Sequence, residues 1–273
     1  MNKVCEHILQ GQEIFVGLED SKKTWALCVR SGGAIIHETR MPADYENLRN
    51  YFNNKFPKCS IKVIYEAGFG GFSLHDQLEA DGWNCIVTPP NRVMEEKCQR
   101  KKNDRNDCRR LAKNLENNDY SSCFVPNKEQ REDRQLSRLY GQIQSDLVRV
   151  RNRVRRYLEF HGLDKQFPPG RWTGRHYREL KEKLEVMGLD SSLRKSFQIL
   201  LTEMDQLREL KTELLRELRD LAKTERYQKT VEILKSVPGI GPLTAIRLAL
   251  EWGDISRFKR KEDFASFFRA DAK

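Results

Sequence analysis

Hydrophobic and polar positions alternate in three successive patterns along the chain. In the first, covering residues 1–125, apolar runs are short and β-rich: Ile14 to Glu19, Trp25 to Arg30 and Ala34 to Arg40 read as strands, with Ser31-Gly32-Gly33 closing a hairpin. From about Ala43 to Phe56 the period lengthens, and Tyr45, Leu48, Phe52 and Phe56 recur at helical spacing. Ile61 to Glu66 and Asn84 to Pro89 read as further strands, Ser73 to Ala80 and Asp104 to Asn117 as helices. The order βββαβαβα predicts a mixed sheet covered by helices, because hairpins join antiparallel strands whereas parallel neighbours need crossovers.

The second pattern, residues 126–229, is helical. Leu136, Tyr140, Ile143, Leu147, Val150, Val154, Tyr157 and His161 step by four and three, and Leu193, Phe197, Leu200, Met204, Leu207, Lys211, Leu214, Leu218 and Leu221 repeat that step. This is coiled-coil spacing. Pro168-Pro169-Gly170 separates the two stripes, since a helix does not run through such a triplet. Each helix, ~50 Å long at 1.5 Å per residue, must fold back on the other or pair with another subunit to bury its stripe. The third pattern, residues 230–273, holds a helix from Val231 to Ser236, the turn Pro238-Gly239-Ile240-Gly241-Pro242, an apolar helix from Leu243 to Trp252 and a further helical start near Phe264. The chain is therefore read as α/β plus α.

Composition narrows the partners. A net charge of +10 within a 33% charged chain favours nucleic acid. No apolar run approaches the ~18 residues that a membrane helix needs, and Met1 to Gly11 lacks the basic end and apolar stretch of a signal peptide. Seven cysteines without a Cys-x-x-Cys argue against a disulfide framework or zinc finger and suit a reducing cytoplasm.

Several acids sit where chemistry could use them. Glu19-Asp20 and Glu66 each end an apolar strand, and Asp104 and Asp107 share a helical face. An acid ending a buried strand is costly to desolvate unless a cation or substrate compensates it. Hard oxygen donors without His or Cys suit Mg²⁺ or Mn²⁺, and two such ions about 4 Å apart promote phosphodiester cleavage. The plain alternative is that the strand-end acids are solvated and that Asp104 and Asp107 serve the helix dipole.

Three blocks carry a resemblance: Phe15-Val16-Gly17-Leu18-Glu19-Asp20-Ser21-Lys22-Lys23, Tyr65-Glu66-Ala67-Gly68, and Lys102-Asn103-Asp104-Arg105-Asn106-Asp107-Cys108-Arg109-Arg110-Leu111-Ala112. They resemble the DEDD transposases of bacterial insertion sequences, the "one-ten" and "eleven-eleven" group, and the likeness runs on through Pro238-Gly239-Ile240-Gly241. The resemblance implies a ribonuclease-H-type, RuvC-like catalytic domain over 1–125, then a helical coiled-coil region over 126–229 and the start of a C-terminal transposase domain over 230–273. It implies Glu66, Asp104 and Asp107 as metal-binding catalytic acids, with Glu19 as the first acid and Asp20 as its rival, since successive strand residues face opposite ways. It also implies a DNA substrate cut and rejoined with Mg²⁺, a structured guide RNA as a partner, and residence at the bacterial nucleoid. Relatives continue past a Phe-Ala-Ser-Phe stretch into a segment that supplies a nucleophilic serine. Here Phe264-Ala265-Ser266-Phe267 is followed by only six residues, so the nucleophile is expected to be missing.

Basic residues complete the picture. Arg92 to Lys113 holds nine Lys or Arg, among them Lys101, Lys102, Arg105 and Arg109 beside the acids, as a phosphodiester substrate requires. Arg149, Arg153 and Arg156 share one helical face, available either to phosphates or to Glu203, Glu209 and Glu213 of the second long helix. Arg171, Trp172, Arg175, His176, Tyr177 and Arg178 combine cations with stacking surfaces. Gly239 and Gly241 allow either a helix-hairpin-helix approach to phosphate or an ordinary helix turn. Three functions remain open: a transposase, a nucleic-acid-binding remnant that oligomerises without catalysis, and a metal-dependent nuclease.

Overall fold

The computed structural model describes residues 11–90, 103–166, 173–186 and 188–271. Lys101, Lys102, Pro168-Pro169-Gly170, Arg171 and Trp172 lie outside the described residues. The chain forms two compact units, one ending at Val125 and the other beginning at Pro126.

In the first unit the elements run β1 (Glu13–Asp20), β2 (Thr24–Ser31), β3 (Ala34–Pro42), α1 (Tyr45–Lys55), β4 (Ser60–Glu66), α2 (Ser73–Ala80), β5 (Asn84–Thr88) and α3 (Asp104–Glu116). The strands form one sheet in the order β3-β2-β1-β4-β5. β1 to β3 are antiparallel, whereas β4 lies parallel to β1 and β5 parallel to β4. Gly32 and Gly33, both at positive φ, make the two-residue β2–β3 turn whose twist suits a hairpin. The mixed sheet is of the ribonuclease-H, RuvC-like kind.

Alternation along the strands gives the sheet two different faces. Ile14, Val16 and Leu18 of β1, with Val63 and Tyr65 of β4, bury against Leu48 and Phe52 of α1 and Leu74 and Leu78 of α2. The opposite face is built of small residues and receives α3: Ala26 and Cys28 meet Cys108 and Ala112, and Ile64 meets Leu111 and Leu115. Those four α3 residues are spaced as a helix stripe. Gly17 lies beneath them, and a Cβ there would overlap the Cys108 carbonyl oxygen and the Ala112 amide nitrogen. A glycine inside a strand marks such a close backbone approach.

The second unit comprises α4 (Lys128–Phe160), α5 (Gly174–Val186), α6 (Ser191–Leu221), α7 (Glu225–Lys235), α8 (Pro242–Trp252) and α9 (Lys261–Asp271). The long helices α4 and α6 fold back on each other. Their contacts run in reverse order, Tyr157 with Phe197, Arg153 with Glu203 and Tyr140 with Lys211, so the pair is antiparallel. Near the C-terminal end of α4 the apolar stripe departs from strict four-three stepping: Leu158 is 5% exposed and Tyr157 39%. A straight helix of 3.6 residues per turn drifts from a seven-residue repeat and moves the buried position by one. Helix α5 was not expected from the stripes; its Tyr177, Leu180 and Leu184 fill the core beside Leu147, Val150 and Val154.

The segment after Thr230 shares a core with the long helices. Val231 and Leu234 of α7 and Ala245, Ile246, Ala249 and Leu250 of α8 pack with Tyr140, Leu214 and Leu218. Gln130 and Arg134 donate to the Leu250 carbonyl at 3.3 and 3.1 Å, and Arg134 also to that of Glu251 at 3.0 Å. They satisfy carbonyls left open at the C-terminal end of α8. Among the described residues no helix is long and apolar enough to cross a membrane.

The tightest packing in the first unit makes a direct prediction. Gly17→Ala should destabilise the protein by about 1–3 kcal/mol through overpacking, read by denaturant unfolding; an unchanged midpoint would show that α3 can lift off β1 freely.

Candidate functional site

Helix α3 begins where the Asn103 side chain accepts from the Arg105 amide at 3.2 Å, an N-cap that frees the first turn to carry Asp104 and Asp107. The helix runs against the direction of β1 and β4. Its far end is fixed at the hairpin, where Glu116 accepts from Arg30 Nε and the Gly33 amide, both at 2.7 Å. Its first turns therefore meet the C-terminal ends of β1 and β4, which carry Glu19 and Glu66.

At that edge Arg110 joins two of the acids. Its terminal nitrogen lies 3.2 Å from Glu66 and 3.3 Å from Asp107, whose side chains are 22% and 14% exposed. One guanidinium thus bridges a carboxylate from β4 and one from α3, while its own Nε is buried without a hydrogen-bond partner. Asp104 stands one turn earlier, 56% exposed, with Arg40 of β3 at 3.6 Å.

Strand register separates the remaining two acids. Leu18 pairs with Tyr65, so Glu19 and Glu66 follow at matching ends of adjacent parallel strands. Glu19 continues the face of Gly17, and Glu66 that of Ile64, both turned to α3. Asp20 falls on the other face. Its carboxylate accepts from Trp25 Nε1 at 2.8 Å and would crowd any Cβ added at Gly70 in the turn after β4. Burial raises the Asp20 pKa, and the Trp25 bond offsets part of that. Among the described residues, no three His, Cys, Asp or Glu side chains are grouped so as to hold a metal ion.

The cations beside the acids have partners within the sheet. Arg109 and Arg105 both grip Glu38 of β3, with 2.7 Å contacts from each terminal nitrogen. The two guanidinium forks draw the Glu38 carboxyl from its ordinary 4.5 to about 2. In the helical unit Arg149 pairs with Asp146, and Arg153 donates to Glu203 at 2.8 Å; Arg156 is exposed. Gly239 sits at positive φ, and Gly241 directly precedes Pro242 at the start of α8. Sequence reasoning passed over Glu38 and Arg110. Arg110 left one signal, its place three residues after Asp107; Glu38 left none, because its partners are 67 and 71 residues away. The described cysteines are free thiols, and burial raises those of Cys28 and Cys108 to about 11 and 12, leaving them inert as nucleophiles.

This edge gathers acids from two parallel strands and a covering helix, and comparison with known proteins places the chain in a family. Residues 16–162 match the transposase family of the DEDD IS110 type, and residues 231–273 match the Transposase IS116/IS110/IS902 family. The chain belongs to this family of insertion-sequence transposases. It is 24% identical over 249 residues to the transposase for insertion sequence element IS1533 of Leptospira borgpetersenii, covering 89% of this chain and 70% of that protein. It is 25% identical over 254 residues to the putative transposase y4qE of Sinorhizobium fredii, covering 91% and 60%. It is 29% identical over 261 residues to the transposase for insertion sequence element IS1111A of Coxiella burnetii, covering 92% and 66%. The chain thus spans only part of the length of each.

The Glu38 clasp should show in acid. Because its folded pKa lies below the unfolded value, its stabilisation is present in full above about pH 4.5 and is lost as pH falls toward 2. Glu38→Gln should cost about 1–3 kcal/mol near neutrality, as for hydrogen bonds to charged groups, and progressively less below pH 4.5. Urea titrations across that range test it; an equal loss at every pH would remove the charge from the explanation.

Proposed function

We propose that the chain acts in cutting and rejoining DNA during transposition, with Glu19, Glu66, Asp104 and Asp107 as the acids that hold Mg²⁺ or Mn²⁺. The observation that carries this reading is the convergence of Glu66 and Asp107 on one guanidinium, at the sheet edge and on the face that Glu19 shares. Their carboxylate oxygens, with no thiolate or imidazole beside them among the described residues, fit a hard divalent cation. A cation bound there would stabilise charge on the attacking and leaving oxygens of a phosphodiester. Arg110 holds the same carboxylate oxygens and so competes with any cation for them. Asp20, tied to Trp25 on the opposite face, is not part of the set.

The wider assembly follows the family. DNA is the substrate and a structured guide RNA a partner, which accords with the +10 charge and with work at the bacterial nucleoid in the cytoplasm. The long helices act as a coiled coil through which copies associate. The turn between α7 and α8 serves as a helix-hairpin-helix, a reading supported by the open space around Gly239 and Gly241, where an added Cβ would meet nothing within 4 Å. Ser266 is not assigned as the strand-transfer nucleophile.

One observation favours a binding role without catalysis: Arg110 already bridges Glu66 and Asp107, as a purely structural ion pair would. Cleavage of a plasmid carrying the element's ends separates the two. In the catalytic reading, Glu66→Gln and Asp107→Asn lower Mg²⁺-dependent cleavage at least 100-fold, of the order assigned to electrostatic stabilisation of the transition state; activity equal to the wild type in both would reject the metal site. Arg110→Met supplies a second measurement. It should lower stability in EDTA by about 1–3 kcal/mol, since two part-buried carboxylates lose their shared partner, and Mg²⁺ should restore most of that loss; equal unfolding midpoints with and without Mg²⁺ would favour the ion-pair reading.

A further inference from the structure

The apolar stripe of α6 is interrupted once, at Lys211. A polar residue at a seam position is costly in stability, and the structure shows what surrounds this one. The Lys211 ammonium lies over the Tyr140 ring of α4, 5.8 Å from its centroid, and Arg247 of α8 reaches the same ring at 5.5 Å. One turn back along α6, the Arg208 guanidinium stacks 4.0 Å from the centre of Tyr177 of α5. Arg151 of α4 joins them, half-buried, its Nε buried and without a hydrogen-bond partner.

These four cations come from three helices, and no carboxylate stands within ion-pair distance of any of them among the described residues. Elsewhere on the same helices cations find acids: Arg149 with Asp146, Arg153 with Glu203, Lys181 with Asp205. Burial, and then the neighbouring cations, lower the pKa values of both Arg151 and Lys211. A long basic side chain can lay its stem on an aromatic ring and keep its charge in water. That accounts for one such residue. Lys181 also lies over Tyr177, but it is paired with Asp205 beside that ring; the four cations around the two rings that have no ion-pair partner of their own among the described residues raise the energy of the free protein, and an anion would offset it.

We propose that Arg151, Arg208, Lys211 and Arg247 form a phosphate-binding site for the sugar–phosphate backbone of a nucleic acid. It rests on the nucleic-acid partner proposed above and adds a site on the helical unit distinct from Arg149, Arg153 and Arg156. Cations already cover the Tyr140 and Tyr177 rings, so those tyrosines are not platforms for bases, and the contact reads charge rather than sequence.

The full chain is titrated by fluorescence anisotropy over a range of salt concentrations, in one arm with random-sequence duplex DNA and in the other with a hairpin RNA. Arg151→Gln and Lys211→Met should each weaken binding about threefold to tenfold and flatten the plot of log K against log salt by about 1. The thermal midpoint should hold or rise, because a repulsive charge is gone. Lys223→Gln, the same loss of charge at an exposed lysine paired with Asp220, should leave the slope unchanged. A flatter slope in either arm supports the site, and the arm that responds names the nucleic acid. Wild-type affinity and slope in both variants would overturn it, as would weaker binding that only tracks a fall in thermal midpoint. If the wild type binds neither nucleic acid, the partner proposed above fails as well, an outcome distinct from variants that bind as the wild type does.

Discussion

The missing side chain at Gly17 lets the backbone of α3 lie directly on β1, and the arrangement of the acids follows from that contact. A strand built from larger residues would hold the helix further from the sheet. Here the layer between them is made of Gly17, Ala26, Cys28, Cys108 and Ala112. Because α3 runs opposite to β1 and β4, its capped first turn meets the strand ends that carry Glu19 and Glu66, while Glu116 is pinned at the hairpin. Packing on one face of a sheet thus sets the geometry of a polar edge.

Charge ties the helix to two different strands. Arg105 and Arg109 turn toward Glu38 on β3, and Arg110, on another side of α3, turns toward Glu66 on β4. Consecutive helical residues point about 100° apart, so Arg109 and Arg110 cannot serve the same partner. The neighbouring arginines therefore have different tasks: one braces the sheet, and the other stands among the acids.

The helical unit meets the opposite problem. Its cores between α4, α5 and α6, and between α4, α6, α7 and α8, are apolar, yet cations collect over Tyr140 and Tyr177, and of those over Tyr177 Lys181 is paired with an acid, Asp205. An aromatic face accepts a cation without giving up its apolar contacts. Charge can therefore be placed beside a core that would otherwise exclude it.

The β-rich runs and helix periods were legible in the sequence because alternation and helical spacing are local properties. The acids at element ends were legible for the same reason, as was the likeness to the transposases in the blocks around Glu19, Glu66 and Asp104. Helix α5 was not, because its few apolar residues carry weight only once α4 and α6 stand on either side. The seam at Tyr157 and Leu158 slipped because an ideal repeat does not record the drift of a real helix. By itself, then, the sequence determined the order of elements in the first unit, the two long helices, the family and which acids end a strand or open a helix. Only the tertiary structure decided that Glu19 rather than Asp20 turns to the face of α3, that Glu38 takes Arg105 and Arg109, and that Arg110 joins Glu66 to Asp107. Those partners lie on different elements, and their meeting depends on strand register and on how closely a helix can approach a sheet, neither of which a local period encodes.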